Sequence, residues 1–204
     1  LDWCAFNVPD GNSINETNFE WLLKAIIAVW AAFDPSEQGL ITGWLNTLRT
    51  AKETYAFPAN ATRYGNHFTH HYKILLLCYR ALNDESAFQT ALAENCDPHL
   101  LVNFPYGNAA VLIPDDMPRA ATDPGESIDY IRRDALHYHQ YDLEPWLEIA
   151  ILSGARYRTK MDEAFAFGVA RLLAPGPKHY EFAASNDPFD QARWQGSHSE
   201  YLQP

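Results

Sequence analysis

One regularity dominates this chain: apolar residues return at three- and four-residue steps over most of its length, the period at which side chains share one face of an α-helix. Trp21, Leu22, Ala25, Ile26, Val29, Trp30 and Phe33 form one such series, with Thr17 or Asn18 placed to cap it. Pro35-Ser36 closes that series and opens a second helix carrying Leu40, Trp44, Leu45 and Leu48 on one face, followed by a loop over 57–63. The spacing predicts a third helix over about 66–82, with Ile74, Leu75, Leu77 and Cys78, and a fourth starting near Asp84-Glu85-Ser86. Further helices are expected over 127–136, 144–152 and 160–173, then a Pro-Gly-Pro stop at 175–177 and a last helix over 187–202. Strand-like alternation and hairpin signals are nearly absent, apart from Asp10-Gly11. The fold class is therefore all-α, and paired helices joined by short turns predict stacked antiparallel hairpins rather than a fixed-period solenoid.

Residues 97–125 break the pattern. Pro98, Pro105, Pro114, Pro118 and Pro124, together with Gly107 and Gly125, predict a long ordered loop, and such loops in compact domains often carry function. With 204 residues, 47% of them apolar, the chain can bury a core, and 1–204 is expected to form a single domain. The longest apolar runs, 25–33 and 74–79, fall short of the roughly 18 residues a membrane span needs. A formal charge of −11, from 26 acidic against 15 basic residues, argues against a general nucleic-acid binder. Cys4, Cys78 and Cys96 are an odd set with no Cys-x-x-Cys spacing, which argues against a structural zinc site and leaves their pairing open. Two glycosylation sequons, Asn15-Glu16-Thr17 and Asn60-Ala61-Thr62, point toward a secreted protein. The first residue is Leu1 and the last four, Tyr201-Leu202-Gln203-Pro204, sit inside a helical pattern, so terminal parts of the domain are expected to lie beyond one or both ends.

Two segments hold five of the eight histidines. One is Tyr64-Gly65-Asn66-His67-Phe68-Thr69-His70-His71-Tyr72, at the start of the third helix. The other is Arg132-Arg133-Asp134-Ala135-Leu136-His137-Tyr138-His139-Gln140-Tyr141, on or at the end of a helix. Side chains that donate, accept and shuttle protons are costly to concentrate without a purpose. His67, His70 and His71, at i, i+3 and i+4, share a helix face and invite a metal reading. The Glu of the His-Glu-x-x-His motif is missing, and no Cys or Asp completes a ligand set. Taken singly, each histidine is also compatible with an amphipathic, locally satisfied helix position.

The run Gly65-Asn66-His67-Phe68-Thr69-His70 resembles the Asn-Asn-His-Ser-Tyr-Trp motif of alginate lyases. The run from Arg132 through Leu136-His137-Tyr138-His139-Gln140-Tyr141-Asp142-Leu143 to Pro145 resembles their Arg-Ala-Leu-x-Tyr-His-Asn-Tyr-x-Leu-x-Pro. Over about 17–204 the chain is similar to the alginate-lyase superfamily of polysaccharide lyases, which includes relatives that cut glucuronan. The resemblance implies an (α/α) toroid, an incomplete barrel of antiparallel helical hairpins. It implies β-elimination on a 1,4-linked polyuronate such as alginate, mannuronan or glucuronan, with an acidic polysaccharide as partner and no metal or cofactor. Residue by residue, Asn66 matches the Asn that neutralises the uronate carboxylate. His67 matches the catalytic His, as neutraliser or base according to substrate stereochemistry, and Tyr141 matches the catalytic Tyr, with Tyr138 one turn earlier as the second candidate. The family's Arg lies seven residues before its Tyr, a position held here by Asp134. Arg133 is taken for that role, although at about 100° per residue a one-residue displacement aims it differently. Arg132, His70, His137, Tyr138, His139 and Tyr106 are expected around the substrate, with Asn108 and Arg119 from the long loop.

The chemistry suits these residue types. Taking a proton from C5 puts negative charge beside an existing carboxylate, so neutral or cationic donors must stabilise it while a Tyr exchanges protons with the sugar. Two other classes stay open. An (α/α) glycoside hydrolase needs two carboxylates roughly 5–10 Å apart, for which Asp115, Asp116, Glu126 and Asp142 are the candidates. A non-catalytic carbohydrate-binding scaffold needs only a cleft. Trp3, Trp30, Trp44, Trp146 and Trp194 stand at helical spacing and are expected mostly in the core.

Overall fold

The structure, a computed structural model, describes residues 2–58, 64–107, 120–133 and 136–174, with the side chains of Asp2 and Arg133 outside the description. Several expectations therefore lie outside the described residues: the sequon at Asn60, the loop residues Asn108, Asp115, Asp116 and Arg119, Asp134, Trp194, the 175–177 stop and the last helix. Among the described residues every regular element is helical, so the chain is all-α. None of these helices is long and apolar enough to cross a membrane. Contacts group the chain into two compact units, one drawn from Leu1–Ala59 and His67–Asp97, the other from Asn60–Asn66 and Pro98–Pro204.

The first unit contains α1 (Asp2–Phe6), α2 (Ser13–Glu16), α3 (Phe19–Val29), α4 (Pro35–Thr54), most of α5 (Asn66–Ala81) and α6 (Glu85–Ala91). α4 starts where Pro35 predicts it, because the Asp34 side chain accepts hydrogen bonds from the amides of Ser36 and Glu37 while the Glu37 side chain accepts one from the Asp34 backbone N–H. Its buried face is Ile41, Trp44, Leu45 and Leu48; Leu40, expected on that face, is exposed. α3 corrects its expectation further. Leu23 and Ile26 face inward, whereas Trp21 is 71% exposed, Val29 is exposed, and a 3₁₀ turn over Trp30–Ala32 ends the helix early. Asn18 occupies the cap position but makes no side-chain cap bond.

α5 is buried on every side over Ile74–Tyr79, the pattern of an interior helix. Buried carboxylates beside it are matched by lysines. Lys52 meets Glu16 at 2.8 Å and the Gly11 carbonyl at 3.3 Å, and Glu16 also accepts the amides of Asp10 and Gly11. Lys73 and Lys24 meet Glu20 at 2.6 and 2.7 Å. Gly11 has φ +80°, and a Cβ there would fall 2.4 Å from the Ala51 carbonyl oxygen. Cys4, Cys78 and Cys96 are all free, and burial pushes the Cys78 thiol up to about 12.

The second unit is built on α9 (Leu136–Leu152), which packs against α8 (Ile128–Arg133) and α10 (Arg158–Leu173). Phe104, Ile131, Leu143, Trp146, Met161 and Phe167 fill the space between them. Two boundaries differ from the sequence expectation. Asp97–Asn103 is a helix, α7, rather than the start of the loop; Pro98 stands in its first turn, where a missing N–H costs nothing. α9 begins eight residues before the expected Glu144, with Pro145 inside it. The burial of Leu136, His139, Leu143 and Trp146 along one side carries the helix through the proline.

Candidate active site

Gly65-Asn66-His67 forms the entry to α5. A helix normally begins after a side chain that caps its first amides, and Gly65 has none. The carboxylate of Asp129, on α8, takes that role: its Oδ2 accepts the Asn66 backbone N–H at 2.6 Å and the Asn66 Nδ2 at 3.0 Å. Asp129 and Asn66 are both buried. A Cβ on Gly65 would stand 2.4 Å from Asp129 Oδ2, so glycine here is the condition for the carboxylate's approach. The preceding Tyr64 carbonyl accepts from Asn103 Nδ2 at 3.2 Å, and Asn103 Oδ1 accepts from Trp146 Nε1 at 3.2 Å. The Asn66 segment is thus tied to α8 directly and to α9 through Asn103.

His67 follows in the first turn of α5 and is half-buried. His70 and His71 do different work, although all three share the helix. In the first unit, His70 is buried, with Nδ1 2.7 Å from the Thr17 hydroxyl oxygen. His71 is buried among Tyr55, Phe57 and Tyr72; desolvation and the nearby Lys52 charge push its pKa down to about 3, so the ring is neutral at physiological pH. Among the described residues no cluster of three His, Cys, Asp or Glu is arranged to hold a metal ion. Tyr55, Phe57, Phe68 and Tyr72 line a cavity of about 430 Å³ in this unit, beside His71. Tyr55 and Phe57 were not singled out from the sequence; Phe68 and Tyr72 fall within the first histidine-rich segment, and their i, i+4 spacing signals a shared face.

In the second unit, Tyr141 lies on α9, 36% exposed, stacked on His137 at 6.0 Å between ring centroids and 9° between planes. Burial, and then the Glu144 carboxylate, hold its phenol above the ordinary tyrosine value. Pro145 lacks the N–H that would bond the Tyr141 carbonyl in a regular helix, so the backbone beside Tyr141 has lost one rung. His137 is exposed and meets the half-buried Tyr138 edge-on at 5.4 Å. Arg132 is half-buried on α8, Arg133 is the last residue of that helix, and Tyr106 is exposed in the turn after α7. His139 is fully buried: Nδ1 is 3.0 Å from the Ser127 hydroxyl and Nε2 2.9 Å from the Ala164 carbonyl, so it ties α9 to the start of α8 and to α10. Of the carboxylates considered for a hydrolase, Glu126 and Asp142 are fully buried, and Glu126 accepts the Thr122 amide at 2.7 Å. Neither has surface to offer a glycosidic bond. Among the tryptophans, Trp44 and Trp146 are buried, Trp30 is half-buried and Trp3 exposed.

The family model for alginate lyase matches residues 6–163, a span that contains both histidine-rich segments. The chain belongs to the alginate lyase family. Comparison with curated proteins and with solved structures gave no match. Membership in the alginate lyase family supports polysaccharide lyase activity as the class of reaction and implies an acidic polysaccharide as the class of substrate. The contact of Asp129 with Asn66 was not legible in the sequence: 63 residues separate the two, and only Gly65, a glycine where a capping side chain is expected, hints at a group approaching from elsewhere.

Proposed function

We propose that this chain cleaves a 1,4-linked polyuronate by β-elimination, with Asn66, His67 and Tyr141 as its reacting residues. Support comes first from Asn66: its amide is fixed at the entry to α5 by a buried carboxylate, beside a histidine that keeps part of its surface. An amide N–H and the open end of a helix dipole are groups that favour a carboxylate. In the proposed step, Asn66, with an arginine of the Arg132-Arg133 pair, takes the C5 carboxylate of the uronate. His67 removes the C5 proton, the electron pair forms the C4–C5 double bond, the C4–O bond breaks, and the departing oxygen takes the phenolic proton of Tyr141. The raised phenol pKa supports the acid role, because Tyr141 keeps its proton at neutral pH and an alkoxide leaving group is more basic than a phenolate. Imidazolium and phenolate then return to their starting states by proton exchange with water.

The test is ultraviolet absorbance while the protein is incubated with alginate, polymannuronate and glucuronan in turn. Elimination creates a double bond conjugated to the carboxylate, and hydrolysis creates none. The expected outcome is a rise on one polymer that falls by about 10²–10⁴-fold in Tyr141→Phe and in His67→Ala. Reducing ends without the chromophore would make the protein a hydrolase; binding without either would make it a carbohydrate-binding scaffold.

A further inference from the structure

We propose that Asp129 is a positioning residue: it sets which edge of the Asn66 amide meets the uronate carboxylate, and Gly65 exists to let it do so. The inference rests on the lyase reading for the identity of the ligand, and on the hydrogen bonds for the rest. One oxygen of Asp129 accepts both the backbone N–H and the side-chain Nδ2 of Asn66, at 2.6 and 3.0 Å. An amide presents N–H donors on one side and a carbonyl oxygen on the other. Rotating it by half a turn would set Oδ1 against a carboxylate oxygen, two acceptors with no proton between them. Asp129 therefore admits only the orientation with Nδ2 toward itself. That orientation uses one of the two Nδ2 protons and leaves the second, in a fixed direction, for an incoming anion. Asn66 is only 4% exposed, so it meets a substrate along one edge, and the identity of that edge decides whether it attracts or repels a carboxylate.

The surroundings hold this arrangement rigid. Asp129 is 1% exposed, on a helix whose Ile128 and Ile131 are buried. Tyr64, two residues before Asn66, is held through its carbonyl by Asn103, itself bonded to Trp146. Any side chain at position 65 would strike both Asp129 oxygens, at 2.4 and 2.9 Å from its Cβ. Capping alone would be served by a Ser, Thr or Asp at 65, from within the loop. A distant carboxylate paired with a glycine adds a bond to the Nδ2 atom.

Four variants test it: Asp129→Asn, Asp129→Ala, Gly65→Ala and Asn66→Ala. An amide carbonyl at 129 still accepts both bonds, so Asp129→Asn should keep activity within about tenfold. Asp129→Ala and Gly65→Ala should each lower kcat by about a hundredfold with KM little changed, the pattern for an interaction that matters in the transition state. In the Asn66→Ala background, Asp129→Ala should cost little more, because its effect passes through the missing amide. A kcat that holds in Asp129→Ala while the thermal midpoint falls, or losses that multiply in the double variant, would overturn the proposal and leave Asp129 a helix cap. Binding of alginate oligosaccharides, followed by nuclear magnetic resonance of the Asn66 amides, separates this from the lyase reading. If the native protein binds them but makes no unsaturated product, the lyase reading fails. The proposal then stands if Asp129→Ala weakens binding and shifts the Asn66 side-chain signals, and falls if neither changes. If the native protein does not bind them at all, both fail.

Discussion

Tyr141 shows how a residue's role depends on a few neighbours. Its ring is part-covered by His137 and its phenol lies near the Glu144 carboxylate, and both burial and that charge favour the protonated form. A protonated acid gives an activity that persists into alkaline pH and is lost as pH rises through the phenol's raised pKa, above the ordinary value of about 10. Glu144→Gln removes the smaller of the two causes, so the alkaline limb of the kcat profile should move to lower pH by a fraction of a unit. A limb that stays in place would show that another group controls it. The motif resemblance is what singles out Asn66, His67 and Tyr141 as candidates. What it did not show is that His70 and His71, on the same helix face, are buried and held by other partners: Thr17 for His70, the aromatic cluster for His71.

Elements were legible where local chemistry decides and misplaced where packing does. α4 begins at Pro35 because Asp34, Pro35 and Glu37 form a complete start signal within four residues. Asp34→Ala should cost about 1 kcal/mol in chemical denaturation and leave kcat unchanged, because the helix belongs to the first unit's scaffold and none of its residues is assigned to the reaction. A much larger loss, or a change in kcat, would mean that the start of α4 supports more than its own helix. α9 is the opposite case. Glu144-Pro145 reads as a helix start because proline fits a first turn, yet the helix starts at Leu136. Leu136, His139 and Leu143, all buried, bring the histidine-rich segment onto its first two turns. α7 was hidden in the same way, by reading Pro98 as a loop residue. α3 has the right period, but its face was only partly legible: Ile26 is buried as expected, whereas Trp21 is exposed and Leu23, outside the expected series, is buried.

At the scale of the whole molecule, buried histidines make both units sensitive to acid. His71 in the first unit and His99 in the second are each pushed down to about 3 by burial, and His139 is lowered by the same cause. Between about 6.5, the unfolded value, and about 3, the unfolded chain binds protons that the folded one refuses. Stability from these groups is therefore complete above the unfolded value and declines as pH falls, by about 1.4 kcal/mol per pH unit for His71 and for His99. The thermal midpoint should fall steadily below about pH 6.5, and His71→Phe, whatever it does to absolute stability, should make that fall shallower. An unchanged slope would mean that His71 titrates alike in both states.

The sequence by itself determined the helical class, the start of α4, the extent of α5 and the two segments that carry Asn66, His67 and Tyr141. Each depends on period, capping or side-chain chemistry that neighbouring residues supply. Only the tertiary structure decided that His70, His71 and His139 face inward, that α9 runs through Pro145, and that Asp129 meets Asn66. Those outcomes rest on which surfaces are removed from water and which groups meet across 12 to 63 residues, and no local pattern encodes a meeting of that kind.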